Sequence, residues 1–452
     1  MDHNHQHSPN LFAVIPTPVR LEANSDYTGK GVTVAFLDSG FYPHPDLVSP
    51  VNRIVAYHDV AGERLSLSAT PVESSQWHGT QTTVAAAGNG YLSDGLYRGL
   101  AHECELVLVK ASERGHITEE NIARGIEWVI ANRERYNIRV LNISLGGDED
   151  VPCSKSIIDQ AAEEAIEHGI VVVAAAGNSE DRHSIPPANS PSVITVGGYS
   201  DNNQLNGNEF DLYHSNFGVT ADGTIKPEIV APARWIAAPI LPGTEFYERA
   251  EALSRLANSD AGALRSCIEA ALKQEKIVAT HYQHVDGTSF AAPIVTSIVA
   301  QMIEANPRLT PGAIKNILIS TADRIISQPA IRQGFGVVNA RRAVALARTE
   351  QHALNVIGCK APRAENGRLM FVFHDDAAAS VSVAGDFNEW DPLATPLRRN
   401  GSGLWTTNIL APQTGRFEYK FIVNEQRWIE DPSNGMKAPD QFGGFNSVLV
   451  IE

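Results

Sequence analysis

Five short apolar runs recur along the first half of the chain, and each run ends in residues that favour turns. They fall between Gly31 and Gly198 and read GVTVAFLDSG, ELVLVKA, RVLNISLGG, IVVVAAAGNS and VITVGG. An uninterrupted apolar run of this kind is typical of a strand that is buried on both faces of a sheet. Between the runs, apolar residues repeat at helical spacing in NIARGIEWVIANRER and SIIDQAAEEAIEHG. This alternation predicts an α/β fold in which helices cover a parallel sheet.

The pattern changes twice after this region. From Thr288 to about Ala347 the apolar spacing is mainly helical, and it lapses in QHALNVIGCKAPRAENG. Short strands separated by turns follow in RLMFVFHD, ASVSVAGDF, LWTTNIL, GRFEYKFIVN and SVLVIE. We therefore predict an N-terminal extension at 1–26, an α/β domain at 27–350, a linker at 351–366 and a small all-β, immunoglobulin-like sandwich at 367–452.

The composition is that of an ordinary globular protein with an acidic surface. The 452 residues are 43% hydrophobic and 19% charged, and 52 acidic against 36 basic residues give a net charge of −16. This charge argues against nucleic acid and against an anionic membrane surface as partners, although solubility alone would explain it equally well. No apolar run in the sequence approaches the roughly 20 residues that a membrane span needs.

Cysteine usage and the first residues both bear on location. The cysteines are scattered and form no CxxC pair, which argues against a zinc site and a disulfide framework: Cys104, Cys153, Cys267 and Cys359. The start, MDHNHQHSPNLFAVIPTPVRL, lacks the basic residues and the apolar core of roughly 7–15 residues that a secretory signal needs. We expect a cytoplasmic protein rather than a secreted one. The histidines at 3, 5 and 7 fit a disordered tail better than a metal site.

Three polar residues stand where a strand ends or a helix begins. Asp38 follows the first predicted strand in LDSGFYPHPDL, and open α/β sheets bind ligands beyond the carboxyl ends of their strands. His78 opens the small-residue helix HGTQTTVAAAG, and Ser289 stands just inside a helix start in DGTSFAAPIV. Taken alone, Asp38 also suits a helix cap or turn, and His78 a structural role. The Gly–Thr–Ser–x–Ala–Ala–Pro run is more specific, because small residues let a helix start among packed neighbours while one hydroxyl stays exposed.

Together and in this order, the three stretches resemble the subtilisin-like serine proteases, whose catalytic residues follow the order Asp, His, Ser. The resemblance covers roughly Tyr27 to Ala347 and includes GKGVTVAFLDSG, HPDL, SLGG, AAAGNS, PSVITVGG, IKPEIVAP and GFGVVNA. It implies a serine endopeptidase that acts on proteins or peptides through an acyl-enzyme and requires no cofactor for the chemistry. In that family Ser289 would be the nucleophile, His78 the general base and acid, and Asp38 the carboxylate that orients the imidazole.

The same resemblance implies an oxyanion site and a substrate channel. Asn178 in AAAGNS matches the family's side-chain oxyanion donor, although Gly–Asn after a strand also suits an ordinary turn. The two walls of the channel correspond to Ser144, Leu145 and Gly146 on one side and Ala175, Ala176 and Gly177 on the other. These small residues leave room for an apolar or aromatic side chain. The loop SEDRHSIPPAN is expected to form the floor, with either Ile185 near the bottom or Arg182 and His183 reaching in.

The chain departs from the family pattern at two places. Only about 26 residues precede Tyr27, and FAVIPTPVRL within them is expected either to cross the cleft as an inhibitor or to pack on the outer surface. The stretch at about 244–283 is an insertion whose apolar spacing predicts an antiparallel helical hairpin. The hairpin is expected to gate the cleft, to hold a partner or to decorate the surface. Calcium often stabilises this family, but GNGYLSDGLYRGL, with Asp94, offers no compelling set of oxygen ligands, so metal binding stays open.

The C-terminal strands resemble the glycogen-binding carbohydrate modules that accompany glycogen-branching and debranching enzymes. The matching stretches lie between about Leu369 and Glu452 and read SVSVAGDFNEWDP, FEYKFIVNEQRWIEDP and FGGFNSVLVIE. The resemblance implies glycogen or another α-glucan as a partner, with sugar contacts at Trp390, Lys420, Trp428 and Asn446. Alternatively, both tryptophans fill the core of the small sandwich, or the module is a rigid domain that contacts its enzyme without binding sugar.

The leading interpretation is a serine endopeptidase whose sandwich targets it to an α-glucan. Such a tether would raise the local concentration of proteins that are held on the glucan. The alternative is a non-catalytic glucan-binding scaffold built on a protease fold. The joint presence of Asp38, His78, Asn178 and Ser289 weighs against this alternative.

Overall fold

The computed structural model describes most of the chain. The described residues are 13–62, 66–68, 72–147, 151–205, 210–259, 264–349 and 362–451, the last range without 366–367, 376, 401–402, 411, 413–414, 433, 435 and 441. The predicted linker, 351–366, lies outside the described residues except for its last part. That part includes a strand of the sandwich, so the sandwich begins by Arg363, inside the range predicted as linker.

A parallel sheet forms the centre of the first domain. Its strands and those of the smaller neighbouring sheets are, in chain order, β1 (Thr33–Asp38), β2 (Ile54–Asp59), β3 (Glu105–Lys110), β4 (Ile138–Ile143), β5 (Val171–Ala175), β6 (Ile194–Ser200), β7 (Asp211–Leu212), β8 (Gly218–Val219), β9 (Ile225–Lys226), β10 (Ile229–Pro232), β11 (Ile236–Pro239), β12 (Ile277–Ala279) and β13 (Tyr282–Val285). The main sheet has the order β10-β6-β5-β4-β1-β3-β2, all parallel, with β7 antiparallel beside β6. The predicted α/β class is confirmed.

Helices cover both faces of this sheet. They are α1 (Thr17–Arg20), α2 (Pro45–Val48), α3 (Gln76–Ala87), α4 (Glu119–Tyr136), α5 (Ile157–Glu167), α6 (Glu245–Ala257), α7 (Arg265–Gln274), α8 (Thr288–Ala305), α9 (Pro311–Thr321), α10 (Ala330–Gln333) and α11 (Ala340–Thr349). Side chains alternate across β1, so Val34 and Phe36 pack in the core with α3 and α8. Ala35 and Leu37 pack in the opposite core with α4 and α5.

The helix α8 runs through the centre of the first core. It is long and apolar enough to cross a membrane by length and composition, and 83% of it is buried inside the fold. Burial to this extent is that of a core helix in a doubly covered sheet. Because α8 also carries Ser289 near its start, the packing of the core fixes the position of that hydroxyl.

The segment from Ala13 to Leu21 packs on the body of the domain. Val14 and Ile15 are buried, and the N–H of Ile15 donates to the Asn203 side chain at 2.8 Å. Arg20 ties the same segment to the loop after β6 through Asp201, with 3.1 Å between Nε and Oδ2. The contacts of the described part therefore favour outer-surface packing over a path across the cleft, and residues before Ala13 lie outside the described residues.

The insertion at 244–283 is only partly helical. The helices α6 and α7 pack together as predicted, but the range continues as strands β12 and β13. These two strands pair with each other, and β13 also pairs with β11. Alternating β-branched and aromatic residues in IVATHYQHV suit strands better than a helix. A small core under the insertion contains Ile240, Ala250 and Ile277, while Leu256 and Leu264 of the predicted apolar faces are exposed.

The C-terminal domain is a sandwich of two antiparallel sheets. Its strands are β14 (Arg363–Glu365), β15 (Arg368–His374), β16 (Val381–Gly385), β17 (Arg398–Asn400), β18 (Leu404–Leu410), β19 (Gly415–Val423), β20 (Arg427–Ile429), β21 (Lys437–Pro439) and β22 (Phe445–Ile451). One sheet has the order β14-β15-β18-β17, and the other has β16-β19-β22-β21 with β20 beside β19. Phe371, Trp405, Tyr419 and Phe421 fill the space between them. The predicted small β-sandwich is confirmed.

An aromatic and cationic contact joins the two domains. The ring of Phe335, which follows α10, lies 5.3 Å from the ring of Phe445 in the sandwich. The guanidinium of Arg324 lies over the Phe445 ring and donates to the carbonyl oxygen of Gly443. The sandwich is thus held against the α/β domain at the start of β22.

Candidate active site

Asp38 and His78 are brought together by β1 and α3. Strand β1 ends at Asp38, α3 carries His78 in its first turn, and 2.7 Å separates His78 Nδ1 from Asp38 Oδ1. The Asp38 carboxylate is buried and also accepts hydrogen bonds from the Ser39 N–H at 2.7 Å and the Thr82 hydroxyl at 3.2 Å. These bonds fix the carboxylate, which in turn fixes the tautomer and the orientation of the imidazole.

The environment of His78 favours its protonated form. Burial lowers the pKa of His78, but the charge of Asp38 and the hydrogen bond to it raise the pKa by more, so the pKa lies above the ordinary 6.5. Two aromatic rings flank the imidazole, Trp77 edge-on at 5.2 Å and Phe290 at 6.0 Å between centroids. Trp77 is 47% exposed, so it presents an apolar surface beside His78. Trp77 was not predicted from the sequence, because a single tryptophan before the motif carries no pattern.

Gly79 allows α3 to approach β1 closely. A Cβ atom at this position would lie 2.3 Å from the carbonyl oxygen of Gly40 and 2.9 Å from Cβ of Asp38. Main-chain atoms at the end of β1 cannot yield to a side chain without displacing Asp38 itself. The glycine of the His–Gly–Thr motif is therefore required by the spacing that brings His78 to Asp38.

Helix α8 presents Ser289 at its second residue. The residue before the helix, Gly287, has φ 141°, which side chains of L-residues rarely tolerate, and its N–H donates to Ala233 at 2.8 Å. The first N–H groups of a helix have no intrahelical partners and lie at the positive end of the helix dipole. A negative charge that develops beside Ser289 is therefore stabilised by the helix start.

Asn178 lies beside the same helix start. Its Oδ1 accepts hydrogen bonds from the N–H of Thr288 at 2.9 Å and from the Thr288 hydroxyl at 3.0 Å. Because these bonds hold Oδ1, the Nδ2 group of Asn178 remains available as a donor. It lies close to the main-chain N–H of Ser289: a Cβ atom built on Gly287 would be 3.8 Å from both nitrogens. Two N–H donors thus converge at the turn that carries Ser289. The orienting role of Thr288 was not predicted, although the residue lies inside the quoted motif.

A pocket of about 120 Å³ opens beside Ser289. Its described lining consists of Ser144, Leu145, Gly146, Ala175, Gly177, Asn178, Ile185, Thr288 and Ser289. Ile185 supplies an apolar floor. It packs closely on Gly146, since a Cβ atom built on this glycine would lie only 3.0 Å from Cδ1 of Ile185. The structure therefore brings together five of the six residues that were predicted as channel walls.

Ala176 is the exception, and its predicted place in the channel wall is wrong. The residue is fully buried, and its N–H donates to Val196 at 3.0 Å. Successive residues at a strand end point in opposite directions, so Ala175 and Gly177 face the pocket while Ala176 faces the core. Arg182 is exposed and its main chain packs on Gly218, which leaves the floor of the pocket to Ile185.

The predicted sugar contacts share one outer face of the sandwich. The rings of Trp390 and Trp428 lie 6.4 Å apart at an angle of 30°, and Trp428 is 45% exposed. Lys420 lies on β19 next to the core residue Tyr419, so its side chain points to the opposite, outer face. The alternative that both tryptophans fill the core is wrong, because Trp405 is the tryptophan that packs between the sheets.

Ion pairs and hydrogen bonds hold the polar groups of this face. Lys420 pairs with Asp440, and the side-chain amide of Asn446 donates to Glu418 at 2.9 Å. The indole N–H of Trp390 donates to Asp386 at 2.8 Å. Fixed amide, ammonium and indole groups beside an exposed ring are the donors and surfaces that sugar hydroxyls and pyranose faces require.

Metal binding was left open by the sequence. In the part of the chain that the structure describes, no group of three or more His, Cys, Asp or Glu side chains is arranged to hold a metal ion. The carboxylate of Asp46 accepts hydrogen bonds from the Tyr282 hydroxyl at 2.7 Å and from the N–H of Leu92 at 3.1 Å. The ammonium groups of Lys226 and Lys315 both lie 2.7 Å from Glu228 Oε1. The carboxylates of Asp46 and Glu228 thus have hydrogen-bond or ion-pair partners within the protein.

Comparison with known protein families assigns a family to each of the two domains. Residues 29–338 match the subtilase family, and residues 356–435 match carbohydrate-binding module 48, the isoamylase N-terminal domain. The chain therefore belongs to the subtilase family of serine proteases and carries a C-terminal carbohydrate-binding module.

Individual relatives support a serine endopeptidase. Serine protease AprX of Bacillus subtilis (strain 168) is 34% identical over 327 residues, which are 70% of this chain and 67% of AprX. Subtilisin BL of Lederbergia lenta is 28% identical over 326 residues, which are 71% of this chain and 93% of that protein.

Solved structures show the same fold. A protease from Pseudoalteromonas arctica PAMC 21717 superposes with a TM-score of 0.52 at 25% identity, over 76% of this chain and 96% of that one. The protease domain of PatA superposes with a TM-score of 0.50 at 21% identity, over 73% of this chain and 98% of the other. The second likeness concerns the fold alone.

Proposed function

We propose that this protein hydrolyses peptide bonds with Asp38, His78 and Ser289 and that its sandwich tethers it to an α-glucan. The observation that carries the proteolytic part is the 2.7 Å contact between Asp38 and His78, beside the helix start that bears Ser289. A carboxylate, an imidazole and a hydroxyl next to a small pocket are the groups that acyl transfer needs.

Each member of the triad has a defined task. The Ser289 hydroxyl attacks the substrate carbonyl carbon while its proton passes to Nε2 of His78, because Nδ1 is held by Asp38. His78 then gives that proton to the leaving amine, and the C–N bond breaks to leave an ester on Ser289. Water hydrolyses this acyl-enzyme by the same proton transfers in reverse, which releases the acid and restores the hydroxyl.

The oxyanion of the tetrahedral intermediate would be bound by Asn178 Nδ2 and the main-chain N–H of Ser289. Both nitrogens lie on the same side of the Gly287 turn, and Thr288 holds the amide of Asn178 in the donating orientation. Donors that are fixed before the reaction stabilise the developing charge without reorganisation.

The pocket indicates the kind of residue that precedes the cleaved bond. Its volume of about 120 Å³ and its floor at Ile185 favour a small or medium-sized apolar side chain over a large aromatic or charged one. Peptides that present alanine or leucine next to the scissile bond are therefore the substrates of choice for the assays below.

Turnover by active-site variants tests the proteolytic proposal. Ser289→Ala and His78→Ala should each lower kcat by as much as about 10⁶-fold, as triad deletions do in subtilisin. Asn178→Ala should lower kcat by about 10²–10³-fold, the loss recorded for that donor in subtilisin. Ser297→Ala, on the same helix but with its hydroxyl bonded to Ile294, is the control and should leave kcat unchanged. Peptide turnover that survives Ser289→Ala would mean that another group is the nucleophile and would overturn the proposal. A wild type without peptide turnover would favour the non-catalytic scaffold.

The glucan part of the proposal rests on the outer face that holds Trp390 and Trp428. A pair of rings 6.4 Å apart can stack on successive glucose units, while Lys420 and Asn446 donate to their hydroxyls. Phe442, which is 94% exposed on the loop after Asp440, extends this apolar surface. An exposed aromatic surface rimmed by polar groups is a common feature of binding sites.

Retention on immobilised glycogen tests the tether. In the Ser289→Ala background, which prevents self-digestion, the protein should be retained and then released by soluble glycogen. Trp390→Ala with Trp428→Ala should abolish retention. Trp77→Ala, which removes an equally exposed tryptophan from the other domain, is the matched control. Lack of retention, or retention that the double change leaves intact, would remove the glucan proposal but not the proteolytic one.

A further inference from the structure

The insertion at 244–283 ends beside the turn that carries Ser289. Lys276 links α7 to β12, and its Nζ lies 2.9 Å from Oδ2 of Asp286. Asp286 directly precedes Gly287 and stands three residues before Ser289. A side chain of the insertion therefore contacts the catalytic turn directly.

The other oxygen of Asp286 ties this turn to the chain after β10. Its Oδ1 accepts a hydrogen bond from the N–H of Trp235 at 3.1 Å. Two residues before Trp235, the carbonyl oxygen of Ala233 accepts the N–H of Gly287 at 2.8 Å. Two hydrogen bonds from the body of the domain thus hold the start of the turn, and Lys276 adds an ion pair from outside.

Both donors to Asp286 come from residues with an uncommon main-chain conformation. Lys276 has φ 58° and Trp235 has φ 59°, in the left-handed region that long and bulky side chains seldom adopt. Such conformations persist where the surrounding structure determines them, and they concentrate at functional sites. Here the carbonyl oxygen of Lys276 accepts the N–H of His284 at 2.8 Å, and the Trp235 ring stacks on His284 at 4.4 Å.

The charge of Asp286 is maintained by the same contacts. Burial alone would raise the pKa of this carboxyl, but the hydrogen bonds from Lys276 and Trp235 hold the pKa below its ordinary value. The carboxylate is thus ionised, and it can hold Lys276 and Trp235 at the same time.

We propose that Lys276 is a positioning residue for the nucleophile. Through Asp286 it holds the turn at Gly287, and this turn places Ser289 and its main-chain N–H against Asn178. The insertion then acts on catalysis from within the fold, rather than as a gate over the cleft or as surface decoration. The inference rests on the proposed role of Ser289.

The size and character of the effect follow from the exposure of the pair. The Lys276 side chain is 50% exposed and that of Asp286 is 28% exposed. Pairs in this setting change an equilibrium by roughly two- to five-fold, and salt weakens them because the Debye length falls to about 3 Å at 1 M. Neither residue is among the described lining of the substrate pocket, so the loss should fall on kcat and leave KM unchanged.

The test compares kcat and KM for a short Ala- or Leu-containing peptide anilide at 0.1 M and 1 M NaCl. Lys276→Met should lower kcat by roughly two- to five-fold at 0.1 M NaCl, and most of the salt dependence of kcat should disappear. Lys276→Arg should restore the wild-type kcat and its salt dependence. Asp286→Asn keeps the acceptor for Trp235 and loses the pair, so it should match Lys276→Met, and the double variant should add no further loss. Lys273→Met, an exposed lysine on α7, is the control and should behave as the wild type.

Several outcomes would overturn the inference. An unchanged kcat in Lys276→Met, an equal loss in Lys273→Met, or additive losses in the double variant would each contradict a pair that acts through the turn. If Lys276→Met does not fold, the inference is tested by Asp286→Asn and by the salt dependence of the wild-type kcat. A wild-type kcat that is the same at 0.1 M and 1 M NaCl would contradict the inference. A wild type without Ser289-dependent turnover would defeat the proposed function first and this inference with it.

Discussion

The imidazole of His78 lies 2.7 Å from the carboxylate of Asp38, whose side chain is almost fully buried while that of His78 remains partly open to the cleft. The carboxylate is fixed by Ser39 and Thr82, and the imidazole lies between Trp77 and Phe290. In the proposed mechanism the imidazole must be neutral to accept the proton of Ser289, so this pair would set the pH range of activity.

The first prediction concerns the pH dependence of kcat/KM. Asp38 holds the pKa of His78 above 6.5, so activity should be lost as pH falls through that raised value. Asp38→Asn removes the charge that raises the pKa and leaves burial to lower it, so the acid limb should move to lower pH. The same change should lower kcat by on the order of 10⁴-fold, because asparagine no longer holds the imidazole in the tautomer that accepts the proton.

A pH profile of kcat/KM between about pH 5 and 9 checks this prediction. Asp181→Asn, which removes an exposed carboxylate elsewhere on the surface, is the control. An acid limb that stays in place after Asp38→Asn would show that Asp38 does not set the pKa of His78.

The second prediction concerns the close approach of α3 to β1. In Gly79→Ala the new Cβ would lie 2.3 Å from the Gly40 carbonyl oxygen, so the end of β1 or the start of α3 must move. A displacement of this kind at the catalytic pair should lower kcat/KM by about 10²-fold or more. Gly312→Ala is the matched control, because a Cβ there, in α9, meets nothing within 4 Å.

The test of this prediction is the difference in kcat/KM between Gly79→Ala and Gly312→Ala. Gly312→Ala should leave kcat/KM unchanged and stabilise the fold by up to about 1 kcal/mol, since alanine favours a helix. Full activity of Gly79→Ala would mean that the spacing between α3 and β1 is looser than the geometry indicates.

The third prediction concerns the buried ion pair that anchors the N-terminal segment. The side chains of Arg20 and Asp201 are 2% and 6% exposed, with 3.1 Å between Nε and Oδ2. Arg20→Leu would leave Asp201 buried without its counter-charge, which should lower the free energy of unfolding by about 3–5 kcal/mol. Urea unfolding in the Ser289→Ala background measures this loss, with the exposed Arg341→Leu as control. Equal stabilities of the two variants would mean that the ion pair contributes nothing to the stability of the fold.

The fourth prediction concerns stability against pH. Asp159 is fully buried, and burial raises its pKa from 3.8 to about 7. The folded state therefore keeps a proton that the unfolded chain releases, and the associated stability is lost as pH rises from about 4 through 7. Asp159→Asn should remove this loss, which is on the order of 2–4 kcal/mol.

Thermal and urea unfolding of the Ser289→Ala protein at pH 5.5 and pH 8 would measure this effect. Asp159→Asn should be more stable than its parent at pH 8, and the difference between the two pH values should shrink. Glu164→Gln, an exposed carboxylate on the same helix, should leave the difference unchanged. A parent protein that is equally stable at both pH values would contradict a raised pKa for Asp159.

Asp38, His78 and Ser289 could be proposed as a triad from the sequence because each of them lies in a short local motif. The parallel sheet then fixes the position of Asp38, because β1 lies between β3 and β4 and ends at this residue. The sequence left the pocket floor open between Ile185 and the pair Arg182 and His183, and the structure places Ile185 in the described lining. Ala176 was misplaced, because a sequence does not show which of three consecutive small residues turns into the core.

Contacts between distant segments were beyond sequence reasoning. Lys276 and Asp286 are separated by a β-hairpin, and nothing in either local sequence indicates an ion pair. The sandwich shows the same limit. Its strands were visible from alternation, but only the packing shows that Trp405 lies in the core while Trp428 lies outside.

The central claim is that Ser289 is the nucleophile activated by His78. The most direct measurement is covalent labelling of the folded wild-type protein with a fluorophosphonate, followed by mass spectrometry of its peptides. The account predicts one adduct, on Ser289, and its loss in both His78→Ala and Ser289→Ala. An adduct on another residue, or peptide turnover by a wild-type protein whose Ser289 stays unlabelled, would contradict it.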